Sequence, residues 1–187
     1  MIAVSNSLAD IGSTMKIVLR DATSADDEFL LRLYASTRAA EMAPTGWDDA
    51  TCAAFVRMQF DMQRRSYRMQ FPAAQCQVIE RDGTAVGRLW LNRGEAEIRV
   101  LDIALLPPYR AQGVGSQCLR SVLAEARQAG AAVRLSVDVN NPARRLYERL
   151  GLVAAGADTL RLDMEWLPTM SRSTNASTAK ESCNEQA

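Results

Sequence analysis

The residues best suited to chemistry in this 187-residue chain lie in one stretch, Leu101 to Ser116. Its centre is the run Arg110-Ala-Gln-Gly-Val-Gly115, placed where a short loop passes from a strand into a helix. A helix N-terminus presents unpaired backbone N–H groups and the positive end of the helix dipole. Gly113 and Gly115 keep side chains away from those groups, and Arg110 adds a charged donor. We therefore expect a pyrophosphate to bind here.

Other phosphate-binding motifs do not fit this stretch. A Walker loop needs GxxxxGK followed by Ser or Thr, and the only lysines of the chain are Lys16 and Lys180. A dinucleotide fingerprint needs a third glycine where Cys118 stands. The remaining alternative is that Gly113 and Gly115 only allow the helix to pack closely against a strand.

Three segments together resemble the GNAT superfamily of acetyltransferases, as a bacterial single-domain member. The run Arg110-Ala-Gln-Gly-Val-Gly115 matches the family signature R/Q-x-x-G-x-G/A. The run Asp102-Ile-Ala-Leu-Leu-Pro107 precedes it, and Val139-Asn-Asn-Pro-Ala-Arg-Arg-Leu-Tyr-Glu-Arg-Leu-Gly151 follows it, in the order and spacing typical of the family. The resemblance covers about residues 16–166, and its specific part is residues 101–152.

This resemblance implies acetyl-CoA as the co-substrate, with no metal. The pantetheine arm would pair with the end of the fourth strand, where that strand splays away from the next one. Asn140 would hydrogen-bond the same arm, and the start of the following helix would flank it. The implied cofactor-binding residues are Ile103, Ala104, Leu105, Arg110, Ala111, Gln112, Gly113, Val114, Gly115, Ser116, Asn140, Ala143 and Tyr147.

Tyr147 is the candidate general acid. It stands seven residues after Asn140, two helical turns along a short helix, so both can face one groove. Similar enzymes place a tyrosine there to protonate the departing thiolate. The alternative is an ordinary half-buried aromatic that anchors the helix. Cys118 is not invoked as a covalent carrier.

The candidate general base is Glu97, chosen by strand alternation. Glu95 and Glu97 share the face of Ile103 and Leu105 if the alternation is unbroken, whereas Asp102 points the other way. A bulge in the strand would reverse that parity. The alternative for Glu97 is a solvated residue at a strand end. Asp102 could instead serve through water, or orient a backbone group or an arginine.

The resemblance implies that the first two helices and their connection, residues 41–71, wall the acceptor groove. Glu41, Trp47, Asp48 and Asp49 could bind a cationic amine there, although a loop anchor and a helix cap explain Trp47 and the aspartates equally simply. The function predicted is an N-acetyltransferase that moves acetyl from acetyl-CoA to a primary amine by direct attack in a ternary complex. The acceptor is a small-molecule amine or a peptide or protein amine. The alternative function is a non-catalytic acyl-CoA-binding sensor or partner module.

The composition excludes several other classes of protein. There are 0 histidines, so neither a Ser-His-Asp triad nor a histidine zinc site can form. The 4 cysteines are widely scattered, without metal-ligand spacing. A formal net charge of +0 disfavours nucleic acid as a partner. No apolar run of eighteen residues and no secretory leader are visible, so we expect a cytoplasmic protein without a membrane partner.

The elements that must position these residues follow from the hydrophobic periodicity. They read β-α-α-β-β-β-α-β-α-β-β, which predicts an α/β (α+β) fold with a mixed, mostly antiparallel sheet of six to seven strands and helices on both faces. The domain would span residues 15–167, between a flexible N-terminal extension (1–14) and a disordered tail (168–187). An edge strand at residues 159–166 could support a homodimer.

Overall fold

The computed structural model describes residues 15–168, so the predicted extension and nearly all of the predicted tail lie outside the described residues. Within this range the chain forms seven strands and four α-helices in the predicted order. The strands are β1 (Ile17–Asp21), β2 (Gln75–Arg81), β3 (Thr84–Arg93), β4 (Glu97–Leu105), β5 (Ala132–Asp138), β6 (Val153–Ala157) and β7 (Arg161–Trp166). The helices are α1 (Asp27–Met42), α2 (Asp49–Gln70), α3 (Val114–Ala129) and α4 (Arg144–Arg149).

All seven strands belong to one sheet, in the order β1-β2-β3-β4-β5-β7-β6. Only β4 and β5 run parallel, and every other neighbouring pair is antiparallel. Neighbouring residues of β3 point to opposite faces of the sheet and show which helices cover each face. Leu89 packs in the core that includes α3, whereas Arg88 bonds to Gln63 of α2. Helices therefore cover both faces, and the predicted fold class is confirmed.

Local signals in the sequence explain most of these elements. The β2–β3 hairpin turns at Asp82 and Gly83, whose φ angles of 52° and 80° suit an Asp-Gly turn. Helix α2 begins after Asp48, whose carboxylate accepts a hydrogen bond of 2.8 Å from the Thr51 N–H. Helix α3 ends at Gly130 with a φ of 67°, the left-handed cap that glycine adopts at low cost.

An irregularity in β4 decides which side chains face the helices. Trp90 of β3 pairs with Asp102 and Leu91 pairs with Val100, so Leu101 is an extra residue in β4. Because directly paired residues share a face, Glu97 lies on the face of Asp102. It does not lie on the face of Ile103 and Leu105, as an unbroken alternation would require.

The parallel pairing of β4 with β5 ends early. Its last pair is Val100 with Leu135, although β4 continues to Leu105 and β5 to Asp138. The two strands therefore separate over their final residues. The gap opens on the edge of β4 that faces away from β3.

The prediction that residues 159–166 form an edge strand is wrong. β7 lies between β5 and β6, so it is an interior strand, and it begins at Arg161. Pairing with β5 buries Leu162 and Met164, whereas all five residues of β6 (Val153–Ala157) are exposed. Burial of the larger apolar side chains places β7 inside and leaves β6 as an edge. No helix among residues 15–168 is long and apolar enough to cross a membrane.

Candidate active site

The turn before α3 offers a row of free backbone N–H groups. The first N–H bonded within this helix is that of Gln117, which donates to the Gly113 carbonyl at 3.0 Å. None of the N–H groups of residues 111–116 donates to another residue in the range 15–168. Ala111 and Gly113 have φ angles of 57° and 84°, a local conformation that turns successive amides towards one side. The turn can therefore hold an anion.

The two glycines of this turn have different surroundings. A Cβ added to Gly113 would meet no atom within 4 Å, so close packing does not explain that glycine, whereas its positive φ and the open space do. A Cβ on Gly115 would lie 3.8 Å from side-chain atoms of both Leu105 and Leu146, and 3.9 Å from Ile103. Gly115 thus marks where α3, α4 and the end of β4 meet.

Arg110 connects the turn to the open edge of β4. Its Nε donates a hydrogen bond of 2.8 Å to the Leu105 carbonyl, and its Nη groups have no partner among the described residues. The Leu106 N–H donates to the carbonyl of Val86 in β3 at 2.9 Å. Since successive residues of a strand point their N–H groups to opposite edges, those of Leu105 and Ile103 point into the gap between β4 and β5.

Tyr147 lies on α4 directly after Leu146, which approaches Gly115 together with Leu105 of β4. Its side chain is 7% exposed, and its hydroxyl has no hydrogen-bond partner in the described chain. Burial, together with the charge of Asp102, raises the pKa of Tyr147 to about 12. The phenol is therefore protonated at neutral pH. Asn140, in the segment between β5 and α4, is exposed. The Asn141 side chain next to it accepts a 2.9 Å hydrogen bond from the Ala143 N–H.

Asp102 pairs with Arg88, an arginine that the sequence had not singled out. Arg88, which is 2% exposed, donates from Nε to the Asp102 carboxylate at 2.7 Å and from Nη2 to Gln63 at 2.8 Å. Asp102 also contributes to a raised pKa at Tyr67, to about 12, where burial is the larger cause. Its carboxylate therefore acts on two phenols, those of Tyr147 and Tyr67. No local pattern around Arg88 signalled this ion pair.

The family follows from direct comparison of the chain with known proteins. Residues 32–152 match the model of the acetyltransferase (GNAT) family. The chain belongs to the GNAT family. This membership confirms the resemblance carried by Arg110-Ala-Gln-Gly-Val-Gly115.

Several relatives of this GNAT chain are known. A Bacillus subtilis (strain 168) protein named as a putative ribosomal protein bS18-alanine N-acetyltransferase is 34% identical over 93 residues, which are 47% of this chain. The chain spans 60% of that relative's length.

Solved structures share the fold of this GNAT chain. The PaiA N-acetyltransferase of Thermoplasma acidophilum, solved in complex with coenzyme A, is 18% identical with a TM-score of 0.63, over 82% of this chain and 99% of that one. The ribosomal-protein-S18-alanine N-acetyltransferase of Escherichia coli is 19% identical with a TM-score of 0.56, over 85% and 98%. At these identities the two structures show the fold alone.

The structure does not bring Glu97 together with the other candidate residues of this GNAT site. Its carboxylate pairs with Arg99 at 2.7 Å and with Arg134 at 2.6 Å. Burial opposes the effect of these arginines on the pKa of Glu97, and the net result is a lowered pKa. Seven residues separate Glu97 from Ala104, which is roughly 23 Å along a strand. Glu97 therefore lies at the closed end of the β4–β5 pair.

The acceptor residues expected between α1 and α2 have structural partners. Asp48 caps α2 through Thr51, and Glu41 pairs with Arg38 at 2.9 Å. Trp47 is 46% exposed and packs edge-on against Phe55, with ring centroids 5.3 Å apart. The aspartate therefore serves as a helix cap, while Trp47 retains an exposed surface.

Proposed function

We propose that this GNAT protein is an N-acetyltransferase that transfers acetyl from acetyl-CoA to a primary amine by direct attack in a ternary complex. The observation that carries the proposal is that three features meet around one gap. These are the free amides of residues 111–116, the unpaired edge of β4 at Ile103 and Leu105, and the protonated phenol of Tyr147.

The residues present fit acetyl-CoA. The amides of residues 111–116, with the free Nη groups of Arg110, suit a pyrophosphate. The Ile103 and Leu105 backbone groups have the donors and acceptors that an amide-containing pantetheine arm needs. Asn140 is exposed at the end of β5, with no side-chain partner among the described residues. Bound acetyl-CoA supplies the activated acetyl group.

The reaction needs few groups from the protein. The amine nitrogen bonds to the acetyl carbon, the carbon–sulfur bond breaks, and the thiolate takes a proton. An N–H group of the Ile103–Leu105 edge can donate to the carbonyl oxygen where negative charge develops. The Tyr147 hydroxyl has the protonated state that a general acid requires.

Asp102 is the carboxylate that best fits the amine side of this reaction. It follows the bulge residue Leu101, and its charge acts on the pKa of Tyr147. We assign Asp102 to hold the incoming ammonium group and to receive its proton, directly or through water, in place of Glu97. Arg88 positions this carboxylate at 2.7 Å.

The acceptor class is proposed from the relative. The Bacillus subtilis protein is named a putative ribosomal protein bS18-alanine N-acetyltransferase, so the α-amine of a protein that begins with alanine is the acceptor to test first. Small amines remain the second class.

Calorimetry with acetyl-CoA, followed by measurement of thiol release across peptides and small amines, tests the proposal. We expect binding, and release with peptides that begin with alanine. Binding without release for any amine would instead favour the acyl-CoA sensor. Absence of acetyl-CoA binding would overturn the proposed function altogether.

A further inference from the structure

A separate cleft lies on the sheet face covered by α1 and α2. It encloses about 210 Å³ between the connection Ala22–Ser24, the start of α1 and the C-terminal half of α2, with β2 and β3 as its floor. Neither the β4 segment 101–105 nor Tyr147 lines it. The cleft is therefore distinct from the gap between β4 and β5.

Positive charge dominates the lining of this cleft. Three arginines contribute to it, Arg64, Arg68 and Arg88, against the single carboxylate of Asp27. Asp27 pairs with Arg64 at 2.9 Å. Arg68 forms no ion pair within the described part of the chain. Arg88 is itself paired with Asp102 at 2.7 Å, so Arg68 carries the net positive charge of the lining. A cleft with this charge attracts an anion.

The buried arginine at the floor has donors to spare. Arg88 is 2% exposed, and its Nε and Nη2 atoms are bonded to Asp102 and Gln63. Its Nη1 atom donates to no described residue. Among residues 15–168 the only fully enclosed side-chain N or O atom without a partner is Oε1 of Gln77, so Nη1 retains access to the cleft. Because Nη1 has no partner among the described residues and Arg88 lines the cleft, it can donate to a ligand there.

Apolar side chains, two of them aromatic, form part of the remaining wall beside the polar Thr23 and Ser24. Leu30, Phe60 and Trp90 are each buried and line the cleft. The volume lies below the roughly 300 Å³ at which pockets for drug-sized ligands begin. A ligand that fits has a small ring or branched apolar body and one anionic group.

We propose that this cleft binds a small organic carboxylate, with its carboxylate held by Arg68 and the Nη1 of Arg88 and its apolar body against Phe60 and Trp90. Arginine binds carboxylates through two parallel hydrogen bonds, which gives the site its preference for a carboxylate. The inference does not depend on acetyl transfer, because it concerns residues outside the β4–β5 gap.

Saturation-transfer NMR with benzoate, and with benzamide as its neutral isostere, tests the site on the full chain. We expect transfer to benzoate, little transfer to benzamide, and no loss when the protein is saturated with coenzyme A. Arg68→Gln should weaken benzoate binding about tenfold, the effect of losing one charge-assisted pair. Arg65→Gln is the matched control, because Arg65 is also exposed on α2 and lies outside the lining.

Four results would overturn the proposal. They are no transfer to benzoate at millimolar concentration, equal transfer to benzamide, displacement by coenzyme A, or equal effects of Arg68→Gln and Arg65→Gln. None of these uses acetyl transfer as its readout. A protein that lacks acetyltransferase activity yet binds benzoate through Arg68 would refute the proposed function and support the cleft.

Discussion

The phenol of Tyr147 combines burial with a free hydroxyl. Its pKa of about 12 keeps it protonated well above neutral pH. If it is the general acid, Tyr147→Phe should lower kcat about 100-fold, the lower end of the range for such a group. The Kd for acetyl-CoA should stay within a few-fold, because the amides of residues 111–116 are untouched. Steady-state kinetics and calorimetry measure the two effects. A variant with unchanged kcat would assign Tyr147 to packing alone.

Two carboxylates of β4 can be compared directly as proton acceptors. Asp102 follows the bulge and pairs with Arg88, whereas Glu97 pairs with Arg99 and Arg134. We expect Asp102→Asn to lower kcat/KM for the amine about 100-fold. Glu97→Gln should leave it within about threefold.

The relative size of the two losses decides between the two carboxylates. A larger loss with Glu97→Gln than with Asp102→Asn would reinstate Glu97 as the base.

The position of the end of β4 depends on the absence of a side chain at Gly87 in β3. Gly87 pairs with Leu105, and a Cβ added there would clash with the Ala104 carbonyl and lie 2.5 Å from a Leu105 methyl. Gly87→Ala should therefore destabilise the protein by about 2 kcal/mol and weaken acetyl-CoA binding, because it displaces the edge that faces the gap. Thermal unfolding and calorimetry measure both effects.

Gly156→Ala is the control for that substitution. Gly156 also lies in a strand, and a Cβ there would have only an ordinary contact of 3.8 Å with Asp163. Gly156→Ala should change the free energy of unfolding by about 0.5 kcal/mol or less. Equal effects at Gly87 and Gly156 would show that the loss reflects glycine in a strand rather than the contact with β4.

Elements with strong local signals could be predicted from the sequence. The Asp82-Gly83 turn, the Asp48 cap and the glycine at position 130 each act on neighbouring residues, so they appear in the sequence as short patterns. The turn before α3, proposed to bind a pyrophosphate, belongs to the same class. Its free amides follow from Gly113 and the start of α3.

Features that join distant segments could not be predicted in the same way. The Arg88–Asp102 pair joins two strands, and its register shifts at Leu101, where the extra residue has no distinctive sequence. The face of the sheet on which Glu97 lies therefore depended on a bulge that the alternation of residues cannot reveal. The interior position of β7 could not be predicted either, because it depends on pairing with the distant strand β5. Either strand of the last hairpin could have paired with β5.

At the scale of the whole molecule, the charge of Asp102 acts on two phenols from different helices, the half-buried Tyr67 and the buried Tyr147. Tyr67 of α2 donates to the Leu101 carbonyl at 3.3 Å, and Tyr147 lies on α4. Burial is the larger cause of the raised pKa in both, and the charge of Asp102 adds to it. Both pKa values rise from an ordinary 10.0 to about 12. Helix α2 is thus joined to β4 by a phenol that donates its proton to the Leu101 carbonyl and so must stay neutral.

This arrangement predicts a loss of stability in alkali. Above pH 10 the tyrosines of the unfolded chain release protons while Tyr67 and Tyr147 retain theirs, so the unfolded state gains relative stability. The free energy of unfolding should fall from about pH 10 and continue to fall until about pH 12. Denaturant unfolding across this range, compared with the variant carrying Tyr67→Phe and Tyr147→Phe, isolates the two phenols from the arginines. A flatter profile in the double variant, with two fewer phenolates appearing near pH 12 by absorbance, is the expected result, whereas parallel profiles would show that neither phenol is held neutral by the fold.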